Sequence, residues 1–351
     1  MKDKLIIIGA VVVVALIIGA YLFVEDTEEK TVLTIFHAGS LSVPFEEIEK
    51  IFEEQHPNVD VQRQSGGSSA MIREVTDLDK IADVVASADY TLIDSMMIED
   101  DPQYADWNIR FAKNRLVICY TDESKYKDEI TQDNWVEIFS RSDVNFGFSN
   151  PNDDPCGYRS VMMFQLSEFH YGNNSIFDDL ILNHTDITIT DDGYNYSIHT
   201  PETLNPDSKV MIRPKSVELM AQLEAGALDY AIEYLSVAKQ HEDSGARYLT
   251  LSEQIDLSSI DYKDTYSKVS LEQFSNLPDK GKTIIAKPIV YGVTVPTNAE
   301  NVELAIEFIE LVISTEGNVV FTNAGQPPIS PAETAQINNI PTKLLNLVTE
   351  V

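Results

Sequence analysis

The sequence predicts an α/β fold in two units with a cleft between them, and three observations carry that expectation. Apolar runs of strand length alternate with amphipathic runs of helix length from Val32 onward, the pattern of strands joined by crossover helices and of a largely parallel sheet. The order strand, Gly/Ser turn, helix occurs twice in quick succession, around Gly39 and around Gly67, as if one ligand were held between neighbouring turns. A strand-like run near the end, Ala286 to Val295, leads into a helical pattern over 299–313. This tail reads as returning to the first unit, which needs more helix cover than residues 31–115 supply. A length of 351 residues is enough for two domains. The expected division is 1–30 as a leader and tether, 31–115 with 290–351 as one discontinuous lobe, and 116–289 as the other.

The leader comes first in the chain. Leu5 to Val24 is an apolar run preceded by Lys2 and Lys4, which reads as a secretory signal or a membrane-spanning signal anchor. The run is longer than a usual signal core, and no clean small-x-small site or lipid-carrying Cys follows it. The expectation is therefore an uncleaved anchor, with the acidic tether 25–30 leading to an exported domain. Three Asn-x-Ser/Thr sequons, at Asn173, Asn183 and Asn195, suit an exported surface loop. The net charge of −32 argues against nucleic acid or an anionic membrane surface as partner, although a single pocket can still be locally electropositive. Cys119 and Cys156 are the only cysteines; they form neither a disulfide framework nor a zinc pattern.

The first strand spans Val32 to His37. Gly39 lets the backbone turn, Ser40 stands at the helix entrance, and Phe45, Ile48 and Phe52 line one face of the helix that follows. A second strand, Val59 to Gln62, ends in Ser65-Gly66-Gly67-Ser68-Ser69, and a helix follows. Ala82 to Ser87 is a third strand, closed by Ala88-Asp89-Tyr90. Past Leu116, the stretch Val144 to Phe148 is a short strand that breaks at Ser149-Asn150-Pro151 and runs through Asp154 into a helix beginning near Pro155. Asp154 is placed to cap that helix, whose N-terminus favours an anion. Residues 173–208 read as a polar insertion or hairpin. Leu228 to Glu233 is a further strand, with Tyr234 and Ser236 beyond it.

The segments His37-Ala38-Gly39-Ser40-Leu41, Gly67-Ser68, Asn150-Pro151-Asn152-Asp153-Asp154-Pro155-Cys156-Gly157-Tyr158-Arg159, Ser236 to His241 and Lys287 to Gly292 resemble the archaeal molybdate/tungstate-binding proteins of ABC importers. The resemblance covers residues 32–335. It implies a type II periplasmic-binding fold, two α/β lobes with the oxyanion between them, and an extracytoplasmic monomer at the cell membrane whose partners are a permease and its ATPase. Carried onto this sequence, it implies oxyanion contacts from Gly39, Ser40 and Ser68 on one lobe and from Asp154, Cys156 and Tyr234 on the other, Cys156 through its backbone N–H. It also implies carboxylates that approach the metal and raise its coordination from four to six. Asp154 matches one of them. Ser216 stands where the family often has an acid, so Glu218, the nearest carboxylate, is the expected second. No cofactor is implied beyond the tungstate or molybdate ligand itself.

The chemistry of the ligand agrees. Tungstate carries no proton at neutral pH, so it only accepts hydrogen bonds, and hydroxyls and backbone N–H groups suit it. Another tetrahedral oxyanion, sulfate or phosphate, is the alternative. A hydrolase using His37 beside Ser40 is a weaker reading, because no Gly-x-Ser-x-Gly or His-Glu-x-x-His motif is present; the expectation is a protein that is not an enzyme.

Overall fold

A computed structural model of the chain describes residues 30–274 and 283–351. The run Leu5 to Val24, with its expected anchor or signal role, lies outside the described residues. Within them no helix is long and apolar enough to cross a membrane.

Two main sheets carry the fold. The first has seven strands, in spatial order Val348–Glu350, Pro328–Thr334, Ile109–Lys113, Val290–Thr294, Val84–Ser87, Thr31–Ala38 and Val59–Gly66. Its odd and even positions feed separate cores, as strand pleating requires. Leu33 and Ile35 pack on one face with Phe45, Ile48 and Phe52 of the helix Ser42–Gln55 and with Phe308, Ile309 and Val312 of the helix Val302–Ile313. Phe36 and Val85 pack on the other face with Ile72 and Val75 of the helix Ser68–Thr76. The returning tail thus shares its core with the opening strands.

The second sheet runs Arg247–Thr250, Leu116–Tyr120, Tyr230–Tyr234, Phe146–Ser149, Val210–Arg213. The helix Pro155–Tyr171 covers one face through Val161 and Phe164, and Val217–Glu224 covers the other through Leu219, Met220 and Leu223. Residues 173–208 form the expected hairpin, Thr188–Asp191 with Tyr196–His199, but it is not free. Its second strand pairs parallel with Val269–Glu272 inside a four-stranded third sheet. Cys119 and Cys156 are both buried free thiols.

Neither main sheet is largely parallel, and the reason is topological. Thr31–Ala38 runs parallel to both of its neighbours, and Phe146–Ser149 runs parallel to both of its own. In each sheet the strand that arrives from another sheet is reversed. Leu116–Tyr120 is antiparallel to both flanking strands, and so is Val290–Thr294. The chain crosses between sheets at the ends that carry the functional turns, so an arriving strand must start where its neighbours finish. The expected strand from Ala286 begins only at Val290; Ala286 to Ile289 is the crossing itself, and Pro288 has no N–H to give a ladder.

Register then decides what meets at the crossing. Thr31 faces Val59 and Ala38 faces Gly66, while Ile35 to His37 face Val84 to Ala86. The turns at Gly39, Gly67 and Ala88 therefore emerge side by side at one edge. Phe45 anchors the helix leaving the first turn: its ring is fully buried, 5.7 Å from Phe308 and 6.2 Å from Phe321. Phe45→Ala is expected to cost about 3–5 kcal/mol in urea unfolding; a loss below about 1 kcal/mol would show that this turn is held by something else.

Candidate functional site

A cleft of about 1070 Å³ opens along the carboxyl ends of both sheets, where open α/β sheets place ligands. The first sheet contributes Gly39, Ser40, Gly67, Ser68 and Asp89; the second contributes Asp154, Arg159, Ser216, Tyr234 and Ser236. Apart from Arg159, which lies inside the helix Pro155–Tyr171, these residues stand where strands give way to helices, the places where helix ends leave N–H groups without an intrahelical partner.

Ser68 opens the helix Ser68–Thr76, and its Oγ accepts from the Ala88 amide at 3.0 Å, tying the second turn to the third. A Cβ placed on Gly67 would meet nothing within 4 Å, so the backbone there faces open cleft. Asp89 caps the next turn through the Thr91 amide at 3.1 Å and pairs with Lys287 at 2.6 Å.

Across the cleft, Asp154 caps the helix Pro155–Tyr171: Oδ1 accepts from the Cys156 amide at 2.8 Å. Its Oδ2 accepts from the Ser216 amide, also at 2.8 Å, joining two turns of the second sheet. Gly157 is dictated by packing, because a Cβ there would sit 2.2 Å from the Ser149 carbonyl oxygen. Two residues further on, Arg159 is 7% exposed. Its Nη1 donates to the Tyr234 hydroxyl at 2.5 Å, and the guanidinium lies 5.4 Å and 5.7 Å from the rings of Tyr158 and Tyr234. Among the described residues no carboxylate forms an ion pair with it.

Behind this wall lies Glu233, fully buried. Its Oε2 accepts from the Tyr234 amide at 2.8 Å and lies 3.6 Å from the Cys156 sulfur. Burial pushes its carboxyl up to about 8, against the pull of the Ser216 hydroxyl and the Tyr234 amide. The Cys156 thiol is likewise pushed well up, by burial and then by Glu233. Burial thus favours the uncharged form of both groups behind the cleft wall.

The structure gathers Gly39, Ser40, Ser68, Asp154 and Tyr234 on one cleft. Cys156 is fully buried behind that wall, and its N–H is already given to Asp154. Glu218 is not at the site: it is exposed on the helix Val217–Glu224, off the cleft wall. Helical phase explains this, since Leu219, Met220 and Leu223 take the buried face. A metal inside an oxyanion would find the carboxylates of Asp89, Asp153 and Asp154 on the cleft wall, and Asp154 is the one tied to the Ser216 amide. His37 is also absent from the cleft wall; its Nδ1 lies 2.8 Å from the Ala38 carbonyl oxygen, and burial lowers its pKa.

Two positions at the cleft wall escaped sequence reasoning. Arg159 closes the long motif Asn150 to Arg159, but the donors that the sequence suggests for an anion are hydroxyls, backbone N–H groups and a helix N-terminus. Glu233 had a usable signal, an acid in the otherwise apolar strand Tyr230–Tyr234.

The model of the family described as bacterial extracellular solute-binding protein matches residues 33–326. An uncharacterized solute-binding protein of Methanococcus maripaludis is 50% identical over 92% of this chain and 94% of its own length. The molybdate/tungstate-binding protein WtpA of Pyrococcus abyssi is 43% identical over 97% of each chain. Among solved structures, the periplasmic molybdate-binding protein of Azotobacter vinelandii superposes with a TM-score of 0.51 at 13% identity, over 84% of this chain and 98% of that one, a likeness of fold.

Glu233 gives a pH prediction. Its folded value of about 8 lies above its ordinary 4.5, so the fold binds a proton that the unfolded chain releases. Its contribution to stability is complete below about pH 4.5 and is lost as pH rises towards about 8. Glu233→Gln is expected to raise Tm at pH 8 and to flatten the decline of Tm between about pH 5 and 8. An unchanged Tm–pH curve would place the titration elsewhere.

Proposed function

The chain belongs to the bacterial extracellular solute-binding protein family, and from that premise we propose that it captures tungstate or molybdate in the cleft and delivers it to the permease and ATPase of an ABC importer. It acts as a monomer held at the outer face of the membrane by the Leu5 to Val24 segment. The observation that carries the anion reading is Arg159: a buried guanidinium that cannot lose its proton, on a cleft wall, with no carboxylate among the described residues paired to it. A buried cation of this kind calls for an anion. The same cleft is lined by Ser40, Ser68, Ser236 and Tyr234, whose hydroxyls suit oxygens that only accept.

The chemistry of the relative named as binding molybdate and tungstate fits this donor set. Sulfate would use the same donors, so it is the rival to separate. Hydrogen phosphate fits less well. It needs an acceptor for its proton, and two of the four acceptor sites of Asp154 are already taken by backbone amides. Binding works by closure: an anion touched from both sides gains contacts in the closed state that the open state lacks, so it shifts the population towards closure.

Tungstate and molybdate are expected to raise Tm in proportion to the logarithm of their concentration, while sulfate does so only at higher concentration. Arg159→Met is expected to weaken binding by roughly 10–100-fold in calorimetric titration, the range for a hydrogen bond to a charged group. Glu218→Gln is expected to change affinity by less than about twofold, since surface charges interact weakly. A folded wild-type chain that shows no shift with either oxyanion would contradict the proposal.

A further inference from the structure

The crossing between the two sheets holds a buried polar chain that ends on both walls of the cleft. Asn114 lies between the strands Ile109–Lys113 and Leu116–Tyr120, at the first crossing. Tyr291 is the second residue of the strand that returns. Gln326 precedes the strand Pro328–Thr334. All three are buried, at 1%, 1% and 0% exposure.

The direction of each hydrogen bond follows from groups that can act in one way only. The Asn114 Oδ1 accepts from the Arg115 amide at 2.9 Å, so its Nδ2 faces the other way. That nitrogen donates to the Ser236 Oγ at 2.9 Å and to the Tyr291 hydroxyl at 3.1 Å. Gln326 Nε2 donates to the Ser40 carbonyl at 2.7 Å, which fixes its amide too, and to the Tyr291 hydroxyl at 3.2 Å. The Tyr291 oxygen therefore accepts twice. Its own proton goes to the remaining neighbour, the Ser40 Oγ at 3.2 Å.

Ser40 and Ser236 are left in the same position. Each hydroxyl oxygen accepts from a donor that cannot reverse, and among the described residues neither hydroxyl donates to a protein atom. Both residues line the cleft. Their protons have the cleft as their outlet.

We propose that Ser236 is a further oxyanion contact, and that Asn114, Tyr291 and Gln326 are positioning residues that hold Ser40 and Ser236 as hydrogen-bond donors towards the cleft. The inference rests on the oxyanion reading and deepens it. The network selects for protonation state: an anion that bears no proton meets O–H groups turned towards it, whereas the O–H of hydrogen phosphate meets protons where it needs an acceptor. Because the network lies at the crossing, donors from both walls take their direction from one place.

The test uses the full chain and calorimetric titration with molybdate, sulfate and, at pH 8, phosphate. Tyr291→Phe removes the hydroxyl that orients Ser40 and keeps the ring. It is expected to weaken molybdate by about tenfold and phosphate by less, so that the molybdate-to-phosphate affinity ratio falls; loss of one charge-assisted hydrogen bond sets that scale. A purely structural role would lower both affinities together and leave the ratio unchanged. Ser236→Ala removes a single oxygen and serves as the second arm if Tyr291→Phe does not fold. It is expected to lose about tenfold for molybdate, and Ser236→Thr, which keeps the hydroxyl, is expected to restore most of it. Wild-type affinity and an unchanged ratio in both variants would overturn the inference while leaving the oxyanion reading intact. A wild-type chain that binds none of these anions would overturn both.

Discussion

A guanidinium enclosed in a protein wall keeps its charge whatever surrounds it, and Arg159 imposes that constraint on this cleft. No carboxylate pairs with it among the described residues. Its one described hydrogen bond is to the Tyr234 hydroxyl, and the tyrosine rings beside it offer only their faces. The rest of the site is arranged so that this charge stays unspent. Asp154 stands close in sequence but has both oxygens tied to backbone amides. Glu233 is kept neutral by burial. A chain with a net charge of −32 thus leaves Arg159 without a paired carboxylate among the described residues, while Asp89 at the same cleft is taken by Lys287.

The fold places these groups by a simple rule of direction. Strands end at the cleft, helices begin there, and the chain crosses there. One edge of each sheet therefore carries helix N-termini, serine hydroxyls and the hinge-like crossings together. Asp154 shows the economy of this arrangement, since a single carboxylate caps its own helix and also holds the Ser216 turn. Glycine is needed where backbone comes too close for a side chain. Gly157, packed on the Ser149 carbonyl, lets the first turn of the capped helix press against the end of its strand.

Much of this was legible in the sequence, and the part that was not has physical causes. Local signals found the strand-turn-helix units at Gly39, Gly67 and Asp154, because turn chemistry and helix capping depend on neighbouring residues. They also found the returning tail, from its apolar stripe. Strand direction was missed, because alternation of strands and helices does not reveal which strand arrives from another sheet. Glu218 was chosen for its closeness in sequence to Ser216, but one residue of helical phase separates the cleft from solvent. Arg159, Glu233 and the Asn114–Tyr291–Gln326 chain act through partners far away in sequence. Tyr291 reaches Ser40 across 251 positions, and no periodicity carries such a pairing.

The central claim is that a proton-free oxyanion sits between donors from both sheets with Arg159 behind it. A crystal structure of the chain with tungstate, its metal located by anomalous scattering, tests this most directly. The account predicts one strong peak in the cleft, with ligand oxygens in hydrogen-bond reach of Ser40, Ser68, Tyr234 and Ser236. A peak outside the cleft, or one held at Glu218 with these hydroxyls untouched, would contradict it.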